Sequence, residues 1–396
     1  MAGVAEKARF YLERSVPQLR EWEEKELFSK EEIRTIVKKR NDHEHRVLSP
    51  GNTPSDWSTY AKWEQSLEKL RSKRCRRLKI HHLNSAHSGQ GRVLSIYERS
   101  VNRHPGSTDL WKEYLSYTAS VKAAKRWRKT MTNALRMMPT DADLWIIAGR
   151  RSAKNGDMAA ARGFFMRGCR FCTKDCKLWL EYARSEMEWL VKVDQRKSDK
   201  KTTDVLRPDR VEDDDELRIV DSDDEDEDDD GNMLPEPSRA QAKVIDKQAA
   251  EQLKSNPAMD GAIPIAIYDI SRKQAFFTPE VAESFFFMFS SFKTLSVQPR
   301  ISQHVLDSLD REFTNHPSTC FCYIRQPVVG VQANTADFAR GLRDVLARLG
   351  DKLEVSTDKA ELSRKTAVWI DGYLALGGLD DGIRQVLEHT KGKLVL

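Results

Sequence analysis

Period-two alternation of apolar and polar residues is scarce in this sequence. Apolar residues recur at i, i+3 and i+4 instead, which argues against a sheet-based fold and for amphipathic helices. No apolar run reaches the roughly 18 residues that a membrane span requires. Met1 to Tyr11 lacks the apolar stretch of a secretory signal. Cysteine is sparse, with six residues in 396. They are scattered along helical segments, as expected of reduced thiols in an intracellular protein. There is no phosphate-binding glycine loop, no nucleophile-elbow serine and no dinucleotide-binding glycine turn. His43 and His45 have no third ligand at metal spacing, and His81, His82 and His87 lack the paired-histidine helix pattern. The sequence therefore predicts no enzyme, no cofactor, no metal and no small-molecule substrate.

What the chain does contain is a repeat. Leu110-Trp111-x-x-Tyr114 returns as Leu144-Trp145-x-x-Ala148 and again as Leu178-Trp179-x-x-Tyr182. Trp111, Trp145 and Trp179 are spaced by 34, as are Pro105 and Pro139, and the third proline slot holds Thr173. Between the tryptophans the same step links Val93, Trp127 and Ala161; Ile96, Thr130 and Phe164; Tyr97, Met131 and Phe165; and Val101, Leu135 and Cys169. Two amphipathic helices per period account for this, each pair stacking on the next to bury a face it cannot cover alone. The proline ends the second helix because it lacks an N–H and its ring blocks the next turn. Trp57-x-x-Tyr60 reads as an earlier row, with about 20 extra residues, strongly basic in character, inserted before Pro105. Cys169, Cys172 and Cys176 invite a zinc reading, but Cys169 occupies a slot that Val101 and Leu135 fill as core, so small apolar thiols are expected. Cys320 and Cys322 stand too close together for ordinary ligand pairing.

The tryptophan spacing, the second aromatic in Trp-x-x-Tyr, and Tyr97-Glu98-Arg99 with Phe165-Met166-Arg167 resemble the half-a-tetratricopeptide (HAT) repeat. That resemblance implies an all-α fold, a right-handed α-solenoid of HAT/TPR-like helical hairpins. The structural core would then include Trp57, Tyr60, Tyr97, Trp111, Tyr114, Trp145, Trp179 and Tyr182. Four regions are expected: an N-terminal helical region at 1–50, the repeat array at 51–190, a disordered acidic insertion at 191–240, and degenerate helical repeats at 241–396. Ser29 and Glu32 form a capping box before a helix carrying Ile33, Ile36, Val37 and Arg40. Phe285 to Phe289, apolar on all sides, predicts a helix buried between neighbours.

The formal net charge of +5 conceals an asymmetry. Glu212 to Asp230 holds 14 acidic residues and one arginine, so the remainder of the chain is strongly basic and suited to polyanionic partners. Ser222, followed by Asp223, Asp224 and Glu225, has the form of an acidophilic kinase site within a solvated spacer. Lys69, Arg71, Lys73, Arg74, Arg76, Arg77 and Lys79 fall within eleven positions and are candidates for contact with RNA or an acidic protein. A solvated cationic face or a nuclear localisation signal is the plainer alternative. Lys122, Lys125, Arg126, Arg128 and Lys129 form a second cluster around the core position Trp127.

Glu13 to Leu19, Phe28, Glu31 to Arg40, Glu44-His45-Arg46 and Leu67 to Arg74, in that order, resemble the N-terminal region of the family of HAT-repeat subunits of the UtpB module. UtpB is a building block of the small-subunit processome. The resemblance implies a nucleolar scaffold in pre-rRNA processing. It implies β-propeller subunits, precursor ribosomal RNA and small nucleolar ribonucleoprotein as neighbours, and no membrane. Two alternatives stay open: a HAT scaffold of the splicing or mRNA 3′-end machinery, and a histone or ribosomal-protein chaperone acting through the acidic run.

Overall fold

A computed structural model describes residues 2–80, 82–202, 261–376 and 379–395. The acidic run 212–230, Ser222, His81 and most of the expected insertion lie outside the described residues. Those residues form seventeen α-helices and, among them, no strand. The fold is all-α. The chain divides into two compact units at Pro139 and Thr140.

The first unit holds α1 (Ala2–Glu13), α2 (Val16–Glu24), α3 (Lys30–Leu48), α4 (Pro54–Arg77), α5 (Ser88–Arg103), α6 (Thr108–Ser120) and α7 (Ala124–Met137). Local sequence sets the starts of α2, α3 and α4. The Ser29 hydroxyl accepts from the Glu32 amide at 3.2 Å, and the Glu32 carboxylate accepts from the Ser29 amide at 2.9 Å. These two bonds satisfy donors that a helix start otherwise leaves unpaired. At α4 the Asp56 carboxylate accepts from the Thr53 amide at 2.9 Å and from the Thr53 hydroxyl at 2.7 Å, with Pro54 in the first turn. Pro17 opens α2, where a first-turn proline forfeits no hydrogen bond. α1 and α2 pack on α3, which packs on α4; α4 packs on α5 and α6, and α6 on α7. The extra residues of the first row mostly lengthen α4, which has 24 residues where α6 has 13.

The second unit holds α8 (Ala142–Lys154), α9 (Met158–Phe171), α10 (Lys177–Thr202), α11 (Ala262–Ser271), α12 (Pro279–Ser290), α13 (Gln298–Glu312), α14 (Pro317–Arg325), α15 (Ala336–Val355), α16 (Lys359–Leu374) and α17 (Asp381–Val395). They form helical pairs: α8 with α9, α10 with α11, α12 with α13, α14 with α15, and α16 with α17. The first helix of each pair also packs on the first helix of the next. This is the stacking expected of helical repeats. Helix α10 continues to Thr202, into the stretch read as the insertion, and its partner α11 begins only at Ala262. The pairing thus resumes across the intervening residues.

Burial follows the 34-residue register. Trp111, Trp145 and Trp179 are interior, as are Val93, Trp127 and Ala161, and Tyr97, Met131 and Phe165. The Trp111 Nε1–H donates to the Pro105 carbonyl at 2.9 Å, tying the helix start to the preceding turn. Aromatic slots stack within each unit: Tyr97 on Tyr114 at 5.7 Å, and Phe165 on Tyr182 at 5.1 Å. Glycine fills two tight positions. A Cβ on Gly149 would lie 2.5 Å from the Phe165 ring, and one on Gly168 would lie 2.8 Å from Trp145 and Leu178. The turn before the second helix of a pair takes positive φ at Lys122 and again, 34 residues on, at Gly156. Phe285, Phe286 and Phe289 are fully buried in α12, each contributing about 1.5–3 kcal/mol of apolar transfer.

Candidate nucleic-acid interface on the first unit

The seven basic residues at 69–79 separate into two groups. Arg71 is buried. Its Nε donates to Glu68 at 2.9 Å, it forms a second bond to the same carboxylate, and Nη2 donates to the Ala86 carbonyl at 3.1 Å. Arg74 donates to both oxygens of Glu32 at 2.8 and 2.7 Å and to the Leu27 carbonyl at 2.9 Å, with its guanidinium 4.5 Å from the Phe28 ring. The hydrogen bond from Arg74, with that from the Ser29 amide, holds the Glu32 carboxyl at about 2. These two arginines are occupied in joining α4 to its neighbours.

Lys69, Lys73, Arg76, Arg77 and Lys79 are exposed. At 3.6 residues per turn the four on α4 span an arc of roughly 100°, opposite the buried face of Trp57, Tyr60, Ala61, Glu64, Leu67 and Cys75. Side chains in this arrangement offer mobile cations to a phosphate backbone without surrendering a structural partner. The second cluster is less available. Trp127 is buried among it, and Arg126 lies 3.9 Å from Glu98.

Beneath that face lies a buried charge network. Arg40, Glu44 and Glu64 are almost fully buried. Arg40 binds both oxygens of Glu64, and Arg92 lies 3.6 Å from the same carboxylate. Arg99 donates to both oxygens of Glu44 at 2.9 Å, and the Tyr60 hydroxyl donates to Glu44 at 2.9 Å. The Arg99 guanidinium also sits 3.9 Å over Tyr11. Burial draws the Arg92 guanidinium below its usual range, with neighbouring Arg40 acting in the same direction. The network joins α1, α3, α4 and α5. The sequence did not single it out, although a signal was present: Arg40 continues the Ile33–Ile36 stripe of α3, and Glu64 continues the Trp57–Tyr60–Ala61 stripe of α4.

Five of the six cysteines are buried, and Cys176 is half-buried. Cys169 and Cys172 are buried, and burial raises them to about 12 and about 11, so both stand as neutral thiols at neutral pH. Cys320 and Cys322 lie buried in α14.

Residues 12–95 match the family described as U3 small nucleolar RNA-associated protein 6. They run from the end of α1 into α5 and so contain the capping box, the basic face and most of the charge network. Among curated proteins, the U3 small nucleolar RNA-associated protein 6 of Schizosaccharomyces pombe is 32% identical over 193 residues, 48% of this chain and 40% of the relative. Its homologue from Homo sapiens is 27% identical over 207 residues, 51% of this chain and 35% of the relative. That from Dictyostelium discoideum is 25% identical over 165 residues, 41% of this chain and 27% of the relative. The chain matches less than half the length of each of these relatives. Helical pairs at a 34-residue step and a basic N-terminal unit thus go together with sequence similarity to the U3 small nucleolar RNA-associated protein 6 family.

Proposed function

We propose that the chain is a non-catalytic scaffold subunit of the small-subunit processome, acting in pre-rRNA processing and small ribosomal subunit assembly in the nucleolus. The match of residues 12–95 to a family named for its association with U3 small nucleolar RNA carries this reading. Stacked helical pairs support it physically, because extended helical surfaces engage several subunits through many modest contacts. Within the particle we place the chain in the UtpB module, beside β-propeller subunits. The exposed face of α4, through Lys69, Lys73, Arg76 and Arg77, with Lys79 beyond its end, contacts RNA phosphates. Arg71 and Arg74 hold that helix in place.

Affinity purification of the tagged chain from its own cells, with mass spectrometry and RNA quantification, tests the assignment. Recovery of UtpB subunits, U3 RNA and unprocessed small-subunit precursor supports it. Recovery of splicing or 3′-end factors in their place would falsify it. Removing residues 212–230 should leave this recovery intact, whereas a chaperone acting through the acidic run would lose its client. Reversing the charge of Lys73, Arg76 and Arg77 should lower RNA crosslinking in assembled particles while leaving subunit recovery unchanged.

A further inference from the structure

A second feature of the first unit lies apart from the basic face of α4. Between α3 and α4 an open notch of about 300 Å³ is lined by Lys39, Asp42, His43, Arg46 and Trp63. That is the small end of the range for ligand sites. Its aromatic members are positioned by the core beneath. The His43 ring lies parallel to Tyr60 at 5.1 Å and 5.4 Å from the Trp63 ring. Tyr60 is fixed by its bond to buried Glu44, and Trp63 packs against the cluster of Leu19, Trp22 and Phe28. Burial, and then Arg46, draw the His43 imidazole below its usual range, so the ring presents a neutral face at neutral pH. Lys39 and Arg46 are exposed at the rim. Lys39 forms no ion pair among the described residues, and Arg46 reaches Asp56 only at 3.9 Å. Asp42 supplies a carboxylate acceptor on the same lining.

We propose that this notch is a single-nucleotide subsite for single-stranded RNA: one unstacked base packs against His43 and Trp63, its flanking phosphates meet Lys39 and Arg46, and Asp42 accepts from an exocyclic amino group. The chemistry favours this occupant. Single-stranded RNA is recognised by splaying bases onto aromatic rings beside cations, which a duplex cannot do. A carboxylate selects the amino edge of cytosine over the carbonyl edge of uracil. The inference rests on the reading that the first unit touches RNA, and adds base contact to phosphate contact.

The test uses the full chain and labelled ten-residue oligocytidine, with oligouridine and an abasic backbone of equal length as comparison probes. Anisotropy should give oligocytidine the tightest binding, with the abasic probe weaker by roughly tenfold. His43→Ala and Trp63→Leu should each erase that difference. The His43 variant is the milder of the two for the fold, because His43 is half-buried and lies outside the apolar cluster that Trp63 packs against. Lys39→Glu with Arg46→Glu should weaken all three probes and flatten the salt dependence. Equal binding of intact and abasic probes overturns the subsite. So does binding that falls on reversal of Lys73, Arg76 and Arg77 but is unmoved at the notch; that result leaves the phosphate-binding face standing. Absence of RNA binding in the wild-type chain, with a phosphorylated peptide bound in its place, overturns both.

Discussion

The two units solve the same packing problem with different chemistry. In the first, two carboxylates and three guanidinium groups lie among the helices, with Glu44 and Glu64 at 1% exposure. In the second, the interior of α12 is filled by Phe285, Phe286 and Phe289, although a related pair, Arg162 with Glu186 at 2.7 and 2.8 Å, joins α9 to α10 earlier in the unit. An apolar core tolerates repacking if volume is kept. A buried ion network accepts one arrangement, because any helix shift strands a charge. The first unit is therefore expected to gain definition of register at some cost in raw stability. It is also the part of the chain that the family match covers.

Substitutions can separate the two strategies. Glu64→Ala leaves Arg40 and Arg92 without the carboxylate they share, and should cost about 3–5 kcal/mol by chemical denaturation. Replacing Arg40 and Glu64 together by Met and Leu should cost less than that single change. A double variant as unstable as Glu64→Ala would mean the network contributes attraction and not only arrangement. Phe285→Ala should cost a similar 3–5 kcal/mol through an unfilled cavity, but no charge change elsewhere should restore it. Gly168→Ala, which forces a methyl group onto Trp145 and Leu178, should lower stability by about 1–3 kcal/mol; an unchanged melting temperature would mean that the helices there separate readily.

The smallest effect concerns pH. The Glu32 carboxyl titrates near 2 in the folded chain, chiefly because Arg74 binds it. The stabilisation from this pair is thus complete above the unfolded carboxylate range, near 4.5, and is lost as pH falls toward 2. Glu32 is partly exposed, so screening reduces the contribution to about 1 kcal/mol. Glu32→Gln should flatten the stability profile between those limits and leave neutral-pH RNA binding unaltered. A steeper profile in the variant would refute the assignment.

Much of the helical architecture could be read from the sequence, because the same 34-residue step recurs in residues of very different size. Trp127 and Ala161 share a slot, as do Phe165 and Met131; only a common environment explains that. Helix α14 was not legible. Its nine residues, Pro17-like in opening on Pro317, are buried nearly all round, so no polar face marks a period. The interface was half legible. Composition located the basic stretch, but a count of charges cannot distinguish Arg71 and Arg74, which complete the core, from Lys69 and Lys73, which do not. That distinction lies in register: Arg71 falls four residues after Leu67 and four before Cys75, on the stripe that faces inward.

One pair of helices stands out for how it is joined. α8 and α9 are connected by three residues, whereas α10 and α11 meet although Thr202 and Ala262 are far apart in sequence. Treated as free chain, a link of roughly sixty residues costs about 2–3 kcal/mol more to close than a link of three. That hairpin should be slow to form relative to its neighbours, and the helices after it wait on a template that must first find its other half. Conversely, once the pair has docked, its own contacts hold the two helices together whatever joins them in sequence.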